Sequence, residues 1–340
     1  MTAAIPEVPP LANLLEIDEL VVEFATDRGP LRAVDGVSLR VPTGQTLGLV
    51  GESGSGKSVT ALSVIGLAGR SARVSGRVRF AGEDVLAAGP EALRALRGGR
   101  IGMVFQDPGA ALDPFHRIGD QIAEAISAHR RLARKELDAR VIALLRDVGI
   151  PAPEERRRAY PHQLSGGMRQ RVMIAIALCC DPMLLIADEP TTALDVTVQA
   201  QVLDLLKVLQ AKRGMSILLI THDLGLVADS CEHVAVMYAG KVVEQGPTAL
   251  VLASPRHPYT AGLLASTPRG DGTGKLREIP GVVPDVRALP PGCRFQDRCA
   301  YVQPACKIAE PPLTPLTLRE RSESKGGRAH RCLFPLGETT

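Results

Sequence analysis

GLVGESGSGKSVTALSVIGL, residues 48–67, is the stretch that decides the fold. A short apolar run leads into a loop of glycines and serines, and apolar residues at helical spacing follow the loop. The loop GESGSGKS, residues 51–58, matches G-x-x-x-x-G-K-[ST], in which backbone N–H groups surround phosphates at a helix N-terminus. A plain connection between strand and helix is the alternative. The strand before the loop and the helix after it favour a nucleoside triphosphate site in an α/β fold.

Two side chains of this loop have expected roles. Lys57 is expected to reach the outer phosphates, and Ser58 is expected to ligate Mg²⁺. The other loop residues that we expect to contact ATP are Gly51, Glu52, Ser53, Gly54, Ser55, Gly56 and Val59.

Length and composition narrow the class of protein. A chain of 340 residues can bury a large core, and 45% hydrophobic with 23% charged residues is typical of a globular protein. The longest apolar runs, such as residues 172–180, are too short to cross a bilayer, and the first ten residues lack the pattern of a secretion signal. We therefore expect a cytoplasmic protein. A net charge of +3 and 3% aromatic residues without Trp make nucleic acid a poor candidate partner.

A second motif, MLLIADEP at residues 183–190, complements the loop. Its continuous apolar run is typical of a strand covered on both faces, which places Asp188 at the carboxyl end of that strand. Asp188 is expected to hold the magnesium shell, and Glu189 to polarise an attacking water. A strand that merely ends in two acids is common, but the phosphate loop earlier in the chain strengthens the functional interpretation.

The third motif, LSGGMRQR at residues 164–171, contains no nucleophile or acid but can bind an anion. Ser165 can cap a helix that begins around Met168, so that free N–H groups and the positive helix end face outward. With these motifs the sequence resembles the ATP-binding-cassette (ABC) family, whose signature is LSGGQ where this chain has LSGGM. The resemblance covers nearly the whole chain. It implies that nucleotide also contacts Ser165, Gly166 and Gly167.

The resemblance implies roles for further residues. Gln106 in VFQDP matches the Q-loop, which contributes to catalysis and the magnesium site, although an ordinary polar loop residue is the alternative. His222 in THD matches the switch histidine that contacts the γ-phosphate. Ala193, Leu194 and Asp195 match the D-loop, which implies that Asp195 contacts nucleotide. Phe24 stands about where the family stacks an aromatic ring on adenine, but a core role is equally open.

The family fold is an α/β cassette with a mostly parallel RecA-like core sheet, an antiparallel β subdomain and a helical subdomain. We expect the ATPase domain to span residues 12–255, with the helical subdomain at residues 107–163. Independently of the resemblance, the residue patterns predict individual elements. These are an alternating strand at 15–24, two short strands within 34–50, an amphipathic helix at 121–150, a crossover helix from 198 that ends at Gly214, and a strand covered on both faces within 216–223. The resemblance further implies that the helical insert holds Ser165 away from Lys57 of the same chain. Two cassettes packed head to tail would then share each ATP.

Three stretches resemble the oligopeptide/dipeptide importer ATPases: residues 105–122, 160–178 and 254–268. Gln163 stands where such relatives commonly have Glu. This resemblance implies an ATPase that powers peptide import from the cytoplasmic face of the inner membrane. The implied partners are two permeases, a similar but non-identical ATPase and an extracytoplasmic solute-binding protein. Nickel or another small solute is an alternative cargo, and a soluble ABC ATPase or an electron-transfer protein fits the motifs less well.

The C-terminal region, residues 256–340, is predicted to be a mostly loop-like extension with a cysteine cluster. Its cysteines lack the close Cys-x2-Cys pairs of a zinc ribbon, and a reducing cytoplasm disfavours disulfides. The importer resemblance implies a [4Fe–4S] cluster, with zinc or unliganded thiols as alternatives. The expected ligands are Cys293, Cys299, Cys306 and Cys332. Cys179, Cys180 and Cys231 lie in apolar stretches and are expected to be core residues.

Overall fold

The computed structural model describes residues 13–192, 194–267, 278–315 and 327–337. These residues form a small antiparallel sheet and a larger mixed sheet, with helices around the larger one. No helix within these ranges is long and apolar enough to cross a membrane.

The antiparallel sheet has the order β2-β1-β4-β5. The alternating apolar residues predicted in the first strand point into a core that also contains Val78 and Phe80. The strand that follows the first turn is longer than predicted. It stays paired with the preceding strand along nearly its whole length, from residue 29 to residue 42. The strands are β1 (Asn13–Thr26), β2 (Gly29–Pro42), β4 (Ala72–Phe80) and β5 (Glu83–Asp84).

The larger sheet has the order β11-β12-β10-β9-β3-β8-β7-β6. From the β6 edge through β7, β8 and β3 to β9, all neighbouring strands are parallel. Beyond β9, the strands β10, β12 and β11 are added in antiparallel pairs and form the other edge. The strands are β3 (Thr46–Val50), β6 (Ile101–Val104), β7 (Leu184–Asp188), β8 (Ser216–Thr221), β9 (His233–Tyr238), β10 (Lys241–Pro247), β11 (Thr314–Pro315) and β12 (Ala329–His330).

Both faces of this sheet are covered. All residues of β3, β7 and β8 are buried, as their continuous apolar runs predicted. In β7, Leu185 and Ala187 belong to one apolar cluster, whereas Leu184 and Ile186 belong to the other. Because β3, β6, β7 and β8 are parallel, their carboxyl ends meet at one edge of the sheet.

The helices that connect these strands include the predicted crossover helix α8 (Val196–Arg213). This helix ends where the sequence predicted, at Gly214, whose φ of 64° lies in the left-handed region that glycine adopts without strain. The other helices around the core are α1 (Lys57–Val64), α2 (Pro90–Leu96), α9 (Leu224–Ser230), α10 (Thr248–Ala253) and α11 (Pro258–Ser266).

The sequence predicts one amphipathic helix at residues 121–150, but the structure has two helices there. The prediction of a single continuous helix was therefore wrong. The helices α4 (Ile118–Ser127) and α5 (Arg134–Asp147) are separated by residues 128–133. Their apolar faces pack into the same cluster, and the chain must reverse between them to bring both faces to it. Three further helices complete this region: α3 (Pro108–Ala111), α6 (Pro153–Arg156) and α7 (Gly166–Ala177).

The C-terminal region is less loop-like than its composition predicted. It contains α11, and β12 extends the core sheet by pairing with β10. Tyr259 and Phe295 pack against Tyr238 of β9, with ring centroids 4.7 and 5.2 Å from the Tyr238 ring. These buried aromatic rings explain the difference, because they join the extension to the main core. The division into residues 12–255 and 256–340 stays a prediction.

Candidate functional site

The phosphate loop lies between β3 and α1, and two of its glycines are required by space. A Cβ on Gly51 would lie 2.2 Å from the carbonyl oxygen of Met237. Gly56 has a φ of 99°, and a Cβ there would lie 2.7 Å from the carbonyl oxygen of Ala33. The backbone therefore passes closer to β2 and β9 than any other residue type would allow.

Lys57 is the first residue of α1, and its side chain points back across the loop. Its Nζ donates hydrogen bonds to the carbonyl oxygens of Gly51, at 2.7 Å, and Glu52, at 3.0 Å. Burial lowers the pKa of Lys57, while the carboxylates of Glu189, Asp188 and Glu52 act in the opposite direction. The loop thus encloses a cation beside the N-terminus of a helix, which is an anion-binding arrangement.

Ser58 of α1 and Asp188 of β7 lie next to each other. Ser58 Oγ donates a hydrogen bond to Asp188 Oδ1 at 3.0 Å. Asp188 is the last residue of β7, and burial raises the pKa of its carboxyl group. A hydroxyl and a carboxylate are oxygen ligands of the kind that Mg²⁺ prefers, so these two side chains fit a magnesium site.

Glu189 lies at the centre of a polar group formed by the ends of three strands. Its Oε2 accepts hydrogen bonds from Gln106 Nε2 and Thr192 Oγ1, each at 2.9 Å. Its Oε1 lies 3.7 Å from His222 Nδ1. The structure thus brings together the three predicted catalytic residues, and it adds Thr192, which no sequence signal identified.

The backbone of Glu189 is unusual. Its φ of 45° lies in the left-handed region that non-glycine residues rarely adopt. The Glu189 N–H donates to the carbonyl oxygen of Ile220 on β8 at 2.9 Å, which holds this conformation. Strained backbone that neighbours hold in place is common at active sites, because it fixes the direction of a side chain.

A single cleft contains most of the predicted residues. Loop residues 52–59 line it together with Gln106, Glu189 and His222. Sequence reasoning missed four other lining residues, which come from β2, α11 and the C-terminal region: Leu31, Ala33, Leu263 and Val286. Nothing near these residues in the sequence signals the site, since each belongs to an ordinary apolar pattern.

Phe24 lies one strand away from this cleft. In the ladder between β1 and β2 it pairs with Leu31, which does line the cleft. The Phe24 ring is partly buried and packs against the apolar cluster of the antiparallel sheet. Its role in stacking on adenine stays a prediction.

The signature residues lie outside the cleft of their own chain. Ser165 is exposed and caps α7 as predicted, since its Oγ accepts a hydrogen bond from the N–H of Met168 at 3.3 Å. Gly167 has a packing reason as well, because a Cβ there would lie 2.9 Å from Val198 Cγ1 on α8. Gly166 has no such restriction: its Cβ would make ordinary contact with Leu194 at 3.8 Å.

The D-loop follows Thr192 and leads into α8. Asp195 is the N-cap of α8, and its Oδ1 accepts a hydrogen bond from the N–H of Val198 at 3.0 Å. Ala193 lies outside the described residues. The side chain of Asp195 thus has a structural role, and any contact with nucleotide stays a prediction.

The four C-terminal cysteines line one cavity, together with Phe295 and other residues. Burial, together with the neighbouring thiols of Cys293, Cys299 and Cys306, raises the pKa of Cys332 to about 12. Across the described ranges, however, no three His, Cys, Asp or Glu side chains approach closely enough to hold a single metal ion. The [4Fe–4S] cluster that the importer resemblance implies therefore stays a prediction.

The remaining cysteines are buried core residues, as predicted. Cys179, Cys180 and Cys231 are at most 8% exposed. Cys179 Sγ and Cys180 Sγ lie 3.7 Å apart at the end of α7. These three thiols do not line that cavity, and they pack in the main apolar cluster.

Two family profiles match the chain. The family described as "ABC transporter" matches residues 34–192, and the one described as "Oligopeptide/dipeptide transporter, C-terminal region" matches residues 243–306. Cys332 lies beyond the second match, whereas the other three clustered cysteines lie within it.

Several curated proteins are similar along nearly their whole length. A protein of Brucella abortus (strain 2308) with the provisional name peptide import ATP-binding protein is 50% identical over 323 residues, covering 94% of this chain and 95% of its own. The dipeptide transport ATP-binding protein DppD of Haemophilus influenzae is 47% identical over 327 residues, covering 96% of each chain.

Solved structures share the fold. CbiO1 of Clostridium perfringens, part of the CbiONQ ABC transporter complex, superimposes with a TM-score of 0.62 at 30% identity, covering 72% of this chain and 92% of its own. The cassette MJ0796, in a dimeric post-hydrolysis state with ADP and Pi, has a TM-score of 0.61 at 27% identity, covering 69% of this chain and 98% of its own.

Proposed function

We propose that the ATPase activity of this chain drives peptide import. The chain belongs to the ABC transporter ATP-binding proteins of the oligopeptide/dipeptide type. Members of this family bind and hydrolyse ATP with Mg²⁺. The observation that carries the proposal is the convergence of Lys57, Glu189 and His222 on one cleft. Asp188 is hydrogen-bonded to Ser58 of this cleft, and the chain also has the importer-type C-terminal region.

The residues of the cleft divide into a binding set and a reacting set. Lys57 and the N–H groups of residues 52–58 are proposed to hold the phosphates, and Ser58 with Asp188 to hold Mg²⁺, which would neutralise phosphate charge. Glu189 is the proposed general base, because its carboxylate is fixed in the cleft by Gln106 and Thr192. His222, exposed at the end of β8, is proposed to contact the γ-phosphate.

The signature helix supports a shared nucleotide site. Ser165 is exposed at the N-terminus of α7, and neither it nor Gly166 or Gly167 lines the cleft of this chain. We infer that these residues, with the D-loop, complete the site of a second cassette, which is proposed to be a homologous chain. The dimeric state in which MJ0796 was solved supports this arrangement.

The proposed cargo is a dipeptide or oligopeptide. The support is the importer-type C-terminal region and the peptide import names of the similar proteins. The proposed partners are two permeases and an extracytoplasmic solute-binding protein, which would place the chain at the cytoplasmic face of the membrane. We propose peptide rather than nickel because the similar proteins named above carry peptide names.

An iron–sulfur cluster is proposed for the C-terminal cavity. The support is that Cys293, Cys299, Cys306 and Cys332 line the same cavity, and that four thiolates are the usual ligand set of a [4Fe–4S] cluster. Such a cluster would cross-link a segment that has few hydrogen-bonded elements of its own.

The transport proposal is tested by reconstitution. The chain would be assembled in proteoliposomes with the permeases, sister ATPase and binding protein from its own organism, and uptake of labelled di- and oligopeptides measured. ATP-dependent uptake that is lost with Glu189→Gln is expected. Uptake of nickel but not of peptide by the same vesicles would contradict the cargo, and ATP hydrolysis without uptake of either would contradict the transport role.

A further inference from the structure

A buried ion pair joins the segment between Cys293 and Cys299 to the phosphate loop. Arg298 Nη1 lies 2.9 Å from Glu52 Oε2, although the two residues are 246 positions apart in the chain. The Arg298 side chain is only 6% exposed, and that of Glu52 is 28% exposed. A pair so little exposed to water is screened weakly, so its loss has larger consequences than that of a surface pair.

Arg298 is held rigidly from several sides. Its Nε donates to the carbonyl oxygen of Pro280 at 2.9 Å, and its guanidinium lies over the rings of Tyr238 and Phe295, 5.8 and 6.0 Å from their centroids. These contacts fix the position of the planar guanidinium independently of its pairing with Glu52. Arg298 therefore acts as a fixed cation rather than a flexible surface side chain.

Glu52 is held along its backbone as well as its side chain. Its N–H donates to Tyr259 Oη at 2.9 Å, and its carbonyl oxygen accepts from Lys57 Nζ at 3.0 Å. Tyr259 lies on α11, so two parts of the C-terminal region meet this one loop residue. The position of Glu52 sets the start of the loop that is proposed to enclose the phosphates.

The same segment supports the loop at a second point. Arg294 pairs with Asp35 and donates to the carbonyl oxygen of Ala239. The next residue, Gly240, donates its N–H to the carbonyl oxygen of Ser55 in the loop at 3.0 Å. The segment between Cys293 and Cys299 thus contacts Glu52 directly and is connected to Ser55 through Ala239 and Gly240.

We propose that Arg298 is a positioning residue of the nucleotide site, which holds the phosphate loop through Glu52 and neutralises a carboxylate that would otherwise repel the triphosphate. The proposal rests on the nucleotide site proposed above, and it makes the C-terminal region part of that site. Without Arg298, a partly buried negative charge would lie in the loop that receives several further negative charges. Binding of ATP should suffer more than binding of nucleotides with fewer phosphates.

The test compares Arg298→Gln and Arg298→Lys with the wild type and with Arg287→Gln. Arg287 is a suitable control because it also pairs with a carboxylate in the C-terminal region, that of Asp285, but its side chain is 51% exposed. The dissociation constants of ATP and AMP are measured by fluorescent-nucleotide competition on the purified full-length chain. Arg298→Gln should weaken ATP binding about tenfold or more, which is the scale expected for breaking a buried charge pair. It should weaken AMP binding far less, and Arg287→Gln should change neither.

Two further variants separate positioning from general damage to the fold. Arg298→Lys keeps the charge and should recover most of the lost ATP affinity. In a Glu52→Gln background, Arg298→Gln should cost less than about threefold, because the repelling carboxylate has gone. Should Arg298→Gln fail to fold by circular dichroism, Arg298→Met replaces it with and without Glu52→Gln, because Met removes the charge but keeps an apolar side chain against Tyr238 and Phe295.

The outcomes are distinct. Normal ATP affinity in folded Arg298→Gln, or an equal loss in the Glu52→Gln background, would overturn the role of Arg298 while leaving the nucleotide site intact. A wild-type chain that binds no ATP would instead overturn the proposed function. Equal losses for ATP and AMP would show a general disturbance and would also overturn the proposal.

Discussion

The Gln106 side chain donates a hydrogen bond of 2.9 Å from its Nε2 to Glu189 Oε2, across 83 residues of sequence. Gln106 lies two residues after the end of β6 and two residues before α3, where the helical region starts. A movement of that region would therefore move the amide that orients the proposed general base. The bond gives the nucleotide site a direct physical link to the start of the helical region.

Glu189→Gln should abolish most hydrolysis without preventing ATP binding. The substitution keeps the size of the side chain but removes the carboxylate, and losing a general base costs about 10²-fold or more in rate. The measurement is steady-state phosphate release together with an ATP-binding titration. Glu154→Gln is the matched control, since Glu154 is exposed and pairs with Arg146 in the helical region. Turnover near the wild-type rate in Glu189→Gln would remove Glu189 from the proposed role.

Ser165→Ala should affect assembly more than folding. Loss of an N-cap costs about 1 kcal/mol in the free energy of unfolding, which urea denaturation can measure. If Ser165 also completes the site of a second cassette, the variant should lose ATP-dependent dimerisation, observed by size-exclusion chromatography in the Glu189→Gln background. Ser165→Thr keeps a capping hydroxyl and should dimerise. Normal dimerisation of Ser165→Ala would limit this residue to capping α7.

Gly51→Ala should destabilise the chain and weaken nucleotide binding. The new Cβ would lie 2.2 Å from the Met237 carbonyl oxygen, so backbone must move, at a cost of about 1–3 kcal/mol typical of overpacking. Gly89→Ala is the control, because a Cβ there meets nothing within 4 Å. Thermal melting and ATP titration check both variants. Equal melting temperatures for the two variants would show that β9 can yield to the added carbon.

Cys306→Ser should remove the proposed cluster. Iron content and visible absorbance of anaerobically purified protein should fall to background, and the melting temperature should fall because the segment loses its cross-link. Cys231→Ala changes a core thiol outside the cavity and should leave iron content unchanged. Wild-type protein that contains zinc alone, or no metal, would contradict the iron–sulfur proposal.

Asp147→Asn should reduce stability at neutral pH but not in strong acid. Burial alone would raise the pKa of Asp147, but its hydrogen bonds and charge interactions with Lys212 and Arg213 lower this pKa below its usual value. A carboxyl group with a lowered folded-state pKa stabilises the fold above its unfolded-state pKa, and this contribution disappears as the pH falls through the folded-state value.

The expected difference between wild type and Asp147→Asn is about 1 kcal/mol at pH 7, since the pair is partly exposed. Urea denaturation at pH 7 and again near pH 2 measures this difference. A difference that stays constant over this range would assign the effect to packing between α5 and α8 rather than to charge.

The sequence by itself determined the features that depend on short spacing along the chain. The phosphate loop, the two acids at the end of β7, the serine cap of α7 and the glycine that ends α8 all involve residues within a few positions of one another. The carboxyl ends of parallel strands meet at one edge, so these local motifs were sufficient to predict one shared site.

Only the tertiary structure decided which distant residues complete that site. Arg298 and Val286 reach the nucleotide cleft region from the C-terminal segment, and Thr192 turns its hydroxyl towards Glu189. The reversal between α4 and α5 likewise depended on packing two apolar faces against one core. The physical reason is that helix and strand periods specify which face of an element is buried, whereas the partner of that face is selected by the close packing of the whole chain.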